Sequence, residues 1–526
     1  MNSPSSSTKH LPAEIWNKIL ASLAHELPDY GDIEETSPKK IEPPASFIAG
    51  RSTLLHLCLM SRRLDDLARP FLYKTVVIWK AEFLLLLWRA LNSRLELGHF
   101  IRELACWVAL TRGTVIQKII SLTEEQLESS PSDRDLYQTI IKRHDVPQLL
   151  LFEILCRSQQ LTMLSLLVPR SAEDMEYSTL MAMIAGSRRS YNSSIAMTTQ
   201  DHDHQLEISH SLTSIELCRD WENSAAWGTE EYLEDVGFDH QDYWPLLKTS
   251  NLIRLHCYGD DASNGLAFLL EEDGSIGCGA PPEAYLGTVR EVHLDSSSSG
   301  PNSLYYICRH APQLQALRVS HRRHSQDSVM WVHAAANNLD SGLLMRAATL
   351  RHLHLDFYDS GEYRLTSLPH LLRLETLHIQ LQTLFGKMSA LNKYDIGDMF
   401  PSSLVELTLH DQWQQDVIET EERTKMYSGL MDPEEFQGGW IMSHGMTEAG
   451  FWYRYQNVVL RMLVRLCDVS ADRLPQLRRV QYVSDFWSRR KWGQQNLFDE
   501  VQAGFSKRNI EFYAGEIRRQ KDSIKS

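Results

Sequence analysis

A six-residue formula, apolar at its first, fourth and sixth positions, recurs along this chain and limits what the chain can become. It reads LTMLSL at 161–166, LTSIEL at 212–217, LIRLHC at 252–257, VREVHL at 289–294, LQALRV at 314–319, LRHLHL at 350–355, LETLHI at 374–379, LVELTL at 404–409 and LRRVQY at 477–482, and IRELAC at 101–106 is a candidate earlier copy. Alternation over the last three positions is that of a strand with one apolar face. Segments of helix or turn character, such as SLYYICRHAPQ at 303–313 and YRLTSLPHLLR at 363–373, lie between copies. A strand plus a return segment, repeated, predicts an α/β chain of stacked parallel strands.

Stacking turns the outward residues into columns with about 4.8 Å between neighbours. The column between the last two apolar positions holds Ser165, Glu216, His256, His293, Arg318, His354, His378, Thr408 and Gln481. The column beside it holds Met163, Ser214, Arg254, Glu291, Ala316, His352, Thr376, Glu406 and Arg479. Polar residues there suit an ordinary solvated strand face. They equally suit a docking surface, with Arg254, His256, His293, Arg318, His352, His354 and His378 as candidate target-binding residues and a partly cationic strip that takes an acidic or phosphorylated segment. Chelation of a metal by neighbouring histidines is the third reading.

These copies resemble a leucine-rich-repeat array, with irregular spacing and mostly without the asparagine usual after the strand. The resemblance implies a right-handed solenoid over 161–483 whose concave face is the outward columns, interrupted by an insertion at 413–450. Residues 484–526 then form a cap and tail, with Phe498, Val501 and Phe505 on one helical face before the short strand IEFY. Ahead of the array, 79–160 reads as a helical linker and first repeat.

Near the start, LPAEIWNKIL places Ile15 and Ile19 on one face of a helix with Trp16 and Leu20 beside them, and Pro12 suits its first turn. Residues 25–50 are acidic and proline-rich and read as a flexible loop. Ser52 or Thr53 is the expected cap of a second helix through LLHLCLMSRRLDDLA, which Pro70 ends before a strand in FLYKTVVIW. LPAEIWNKIL followed by LLHLCLMSRRLDDLARPFLYKTVVI resembles the F-box in its fungal form, over 11–78 with an insertion at 25–50. That resemblance implies a docking module for the Skp-type adaptor and cullin of an SCF ubiquitin ligase, through Leu11, Pro12, Ile15, Trp16, Ile19, Leu20, Leu55 and Leu59. A private core against the following domain is the competing use of the same stripe.

Net charge and motifs narrow the function. A formal charge of −15 argues against a nucleic-acid binder. Eight scattered cysteines without a C-x-x-C pair predict neither a disulfide framework nor a zinc finger. The polar residues 1–10 read as a disordered tail rather than a signal peptide, and the apolar run FLLLLW is too short to span a bilayer. DHDHQLEISH at 201–210 reads as a solvated loop or, if folded around an ion, a metal site, and GSIGCGA at 274–280 as a surface loop.

The expectation is a cytoplasmic or nuclear, non-enzymatic substrate receptor of an SCF ligase: a small helical F-box, then an irregular repeat solenoid that captures an unidentified target protein. No cofactor, metal, nucleic acid or membrane is expected as a partner. The alternative is a leucine-rich-repeat scaffold acting outside the ligase.

Overall fold

The computed structural model describes residues 12–28, 30, 42–110, 113–129, 146–168, 180, 211–219, 243–247, 251–260, 286–297, 301–321, 336–357, 364–385, 394–411, 448–484 and 498–515. They fall into two compact units, residues 1–258 and 259–526. DHDHQLEISH, GSIGCGA, Leu11 and nearly all of the 413–450 insertion lie outside the described residues.

The first unit opens with three helices, α1 (Ala13–Leu23), α2 (Ala45–Met60) and α3 (Arg62–Lys74). Leu20, Leu54, Ala68 and Leu72 form their shared core, with Leu23, Leu57, Leu67 and Phe71 packed on it. Two expectations fail here. Helix α2 begins at Ala45, inside the stretch read as a loop, and Ser52 and Thr53 sit within it, Thr53 Oγ1 donating to the Ala49 carbonyl at 2.9 Å. Ser61 does the capping instead: it breaks the chain into two helices by accepting from the Leu64 N–H at 3.2 Å. Pro70 lies inside α3 rather than ending it. The proline removes one helical hydrogen bond, and the packing of Leu67, Ala68, Phe71 and Leu72 around it holds the helix together.

Glycine is required at position 50. A Cβ there would stand 2.5 Å from the Leu23 carbonyl oxygen and 2.8 Å from the His25 ring, so the end of α1 passes directly over α2. Gly50→Ala is expected to destabilise this unit by about 1–3 kcal/mol, seen as a lower urea midpoint; an unchanged midpoint contradicts this close approach.

Five parallel strands follow: β1 (Thr75–Ile78), β2 (Glu103–Cys106), β3 (Met163–Val168), β4 (Ser214–Arg219) and β5 (Arg254–Tyr258). Each pairs with the next in unbroken register, for example Val77↔Ala105↔Ser165↔Glu216↔His256. IRELAC is thus a true ladder member, and β1 extends the ladder one strand earlier than the formula does. Helices α4 (Ala81–Ser93), α5 (Gly113–Ser129) and α6 (Val146–Arg157) return the chain between the first strands, and a single turn, α7 (Trp244–Leu247), precedes β5. FLLLLW lies in α4, and no helix of the described residues is long and apolar enough to cross a membrane.

The second unit repeats the plan with β6 (Glu291–Ser297), β7 (Ala316–His321), β8 (His352–Asp356), β9 (Thr376–Gln380), β10 (Glu406–Asp411), β11 (Arg479–Ser484) and β12 (Glu511–Gly515), all parallel and paired in chain order. Return segments are α8 (Pro301–His310), α9 (Ala336–Met345), the turn Leu368–His370, α10 (Leu381–Phe385), α11 (Glu448–Arg473) and α12 (Asp499–Ser506). Val501 and Phe505 of α12 are buried, Phe505 stacking on Phe512 of β12 at 5.2 Å.

The physical reason for both ladders is the formula itself. Its first, fourth and sixth residues are buried in every copy, as at Leu350, Leu353 and Leu355 or Leu404, Leu407 and Leu409. Each side chain is worth about 1.5–3 kcal/mol when taken from water. A slip of one residue would turn that row outward, which fixes the register.

Candidate interaction surfaces

Two surfaces stand out, one on the helical module and one on the outward face of the strands. On α1 and α2 the apolar residues divide between inside and outside. Leu20 is fully buried in the three-helix core, which removes it from the residues expected to meet a partner. Ile15 and Ile19, one turn apart on α1, and Leu55 on α2 are 40–48 % exposed, and Leu59 is 76 % exposed. Ile48 and Met60 on α2 are exposed as well. Pro12 is exposed at the start of α1 and Trp16 is half-buried. A pair of large aliphatic side chains left in water on each of two adjoining helices is the pattern of a surface awaiting cover.

On the strand face of the first unit, the chain covers itself. Val77, Ala105, Ser165 and Glu216 are outward-column residues, yet all are buried. The cover comes from the helical module: Leu27, Tyr30 and Phe47 pack against Val77, Ala105, Trp107, Leu167 and Cys218. Tyr30 is 1 % exposed and meets Trp107 and Tyr258 edge-on at 5.8 and 5.7 Å, and its hydroxyl donates to the Arg219 carbonyl at 3.2 Å. The Leu27 N–H and the Thr75 hydroxyl both donate to Glu103 Oε2, at 3.0 and 2.9 Å, and Arg51 donates to the Thr75 carbonyl. Tyr30 falls within the stretch read as a flexible loop, and its seat shows that reading was wrong at this residue.

Beneath that cover runs a buried polar chain. Trp107 Nε1 donates to Ser165 Oγ at 2.9 Å, Ser165 donates to Glu216 Oε2, and Glu216 Oε1 lies 3.3 Å from His256 Nδ1. His256 is therefore committed to Glu216, while Arg254 on the neighbouring column stays exposed.

The same face in the second unit is open and polar. The column His293↔Arg318↔His354↔His378↔Thr408↔Gln481 lines up as the formula predicts, with Ala316↔His352↔Thr376↔Glu406 beside it. His354 and His378 stack with centroids 3.8 Å apart and planes within 4°, and His410 meets His378 edge-on at 5.5 Å. Two charged imidazoles at that separation repel by about 4 kcal/mol at an effective dielectric near 20. Burial, reinforced by the Arg318 charge, lowers His354 to about 4, and burial, reinforced by His354, lowers His378 well below the usual imidazole value. Arg318 is itself paired, Nε to Asp295 Oδ1 at 3.1 Å. Within this strip, then, the stacked rings of His354 and His378 are neutral at pH 7 and the charge of Arg318 is balanced by Asp295.

A third polar column lies one step further along this face, at Asp295, Ser320, Asp356, Gln380 and His410. Ser320 donates to Asp295 at 2.8 Å and Gln380 Nε2 to Asp356 at 2.5 Å, and His410 Nδ1 stands 3.5 Å from Asp356 Oδ1. Burial pushes the Asp356 carboxyl up, and the surrounding imidazoles, His410 first and then His354 and His378, more than reverse this, holding it at about 2. The six-residue formula stops short of this column; extending each copy by one residue, the next outward position of its period-two rhythm, finds every member. Among the described residues no three His, Cys, Asp or Glu side chains converge as ligands for a metal ion.

Between these columns a depression of about 230 Å³ opens over Ala316, walled by Arg318, His352, His354, His378 and Thr408. No protein-family model matches the chain, and no curated protein is significantly similar to it.

Proposed function

We propose that this chain is the substrate-recognition subunit of an SCF (cullin–RING) ubiquitin ligase, a non-catalytic receptor of the cytoplasm or nucleus. Residues 11–78 act as an F-box that docks on the Skp-type adaptor and through it the cullin, and the outward face of a leucine-rich-repeat-like solenoid captures the target. One observation carries the reading: Ile15, Ile19, Leu55 and Leu59 remain exposed on a helical module whose own core is already closed by Leu20, Leu54, Ala68 and Leu72. A private core would have absorbed them. The parallel ladders, with buried formula residues and an open polar column on β6–β10, supply the second half of such a receptor.

Pull-down of the Skp-type adaptor by the full chain tests this. Each exposed isoleucine turned to aspartate loses apolar burial and adds a desolvated charge at the interface, so Ile15→Asp with Ile19→Asp is expected to weaken capture at least a hundredfold, or roughly 3 kcal/mol. Circular dichroism of the variant should match wild type, since both positions face water. Equal recovery from wild type and variant, or recovery from neither, overturns the proposal.

A further inference from the structure

We infer that the depression over Ala316 seats one uncharged, flat side chain of the target protein, a tyrosine or a tryptophan, and that it does not read phosphate. This rests on the receptor reading above and names the chemistry that the open face of β6–β10 selects.

Ala316 is the small member of its column, set between Glu291 and His352 in register, and the missing side chain is what opens the space. Leu317, Leu353 and Leu377 also border it, and since their side chains are buried on the other face they contribute backbone to its floor. At about 230 Å³ it falls below the roughly 300–1,000 Å³ of pockets that hold small molecules or cofactors, and suits one large side chain.

Charge then decides which side chain. The charged residues lining it are Arg318 and Glu406, and both are spoken for: Arg318 by Asp295 at 3.1 Å, Glu406 by Arg479 at 3.3 Å. A phosphate or carboxylate entering here meets an Arg318 whose charge Asp295 already balances, and an ammonium meets a Glu406 already balanced by Arg479. Neither Arg318 nor Glu406 offers an unbalanced charge, so either ion is desolvated for little return. The stacked pair His354 and His378 disfavours becoming cationic for the geometric reason given by their 3.8 Å spacing. A purely aliphatic group would strip water from the Thr408 hydroxyl and the imidazole edges without replacing its hydrogen bonds. A ring with one polar tip satisfies both walls: it lies along the imidazoles and hydrogen-bonds at the rim.

Pools of short peptides, random except for a fixed central tyrosine, tryptophan, alanine, phosphotyrosine, aspartate or lysine, are to be bound to the purified full chain and measured by fluorescence polarisation. The tyrosine and tryptophan pools should bind at least tenfold better than the alanine pool, with phosphotyrosine, aspartate and lysine no better than alanine. Ala316→Trp, which fills the space from the protein side, should abolish the preference while leaving the melting temperature and circular dichroism unchanged. A preference for the phosphotyrosine or aspartate pool, no preference at all, or an undiminished preference in Ala316→Trp overturns the inference. The chain carrying Ile15→Asp and Ile19→Asp should show the wild-type peptide preference, so that failure of adaptor docking and failure of this site are read separately.

Discussion

Tyr30→Ala should destabilise the first unit by about 3–5 kcal/mol, the range for removing a large buried aromatic. The ring is 1 % exposed, lies between Trp107 and Tyr258, and joins the helical module to the outward face of β2–β5. Alanine leaves a cavity that the neighbouring indole and phenol cannot fill without leaving their own strands. Tyr30→Phe keeps the packing and removes only the bond to the Arg219 carbonyl, for a loss of about 1 kcal/mol. Urea unfolding of the three proteins, followed by tryptophan fluorescence, measures both differences, with Trp107→Phe as the background that identifies the local signal. A midpoint for Tyr30→Ala equal to that of Tyr30→Phe would falsify the account of the ring as a wedge.

Acidification should weaken the second unit well before its carboxylates titrate. His354 is held at about 4 when folded, against an ordinary value of 6.5, so between those two values the unfolded chain takes up the proton and the folded one does not. Stability contributed by the neutral ring is therefore complete above about pH 6.5 and is lost as pH falls toward 4. Asp356 works in a lower window: with a folded value of about 2 against 3.8, its contribution is lost only below pH 4. Going from pH 7 to pH 5, the wild type is expected to lose on the order of 1–2 kcal/mol more than His354→Gln, in which that proton site is gone. Equilibrium denaturation at the two pH values gives this double difference. A variant that loses as much as the wild type means that the stacked ring does not resist protonation.

The strands, their order and their outward columns were legible because the signal is local and repeated. Every copy of the formula places its apolar residues with a period of two, and burial of Leu350, Leu353 and Leu355 is the same event as burial of their counterparts elsewhere. What a single residue does against a distant partner was not legible. Tyr30 sits among aspartates and prolines, where nothing local marks it as buried. The trace it left was indirect, in the apolar outward residues Ala105, Trp107, Leu167 and Cys218, which a solvated face would not carry. The electrostatic surroundings of Arg318 and His354 were hidden for a related reason. Sequence shows Arg318 and His354 but not that Asp295 neutralises the first, nor that His378 stacks on the second. Pro70 misled because a proline rule describes the isolated helix, and tertiary packing of Phe71 and Leu72 outweighs it.

The wedge also sets an order of events during synthesis. Tyr30 is bonded to a carbonyl 189 residues downstream and packs against Tyr258 beyond that. Translation at about 5–20 residues per second puts roughly 10–45 s between the emergence of Tyr30 and that of its last contact. The helical module, translated ahead of the strands it covers, is thus completed only with them, and through that interval it presents Leu27, Tyr30 and Phe47, together with the exposed aliphatic pairs of α1 and α2, to whatever the nascent chain meets.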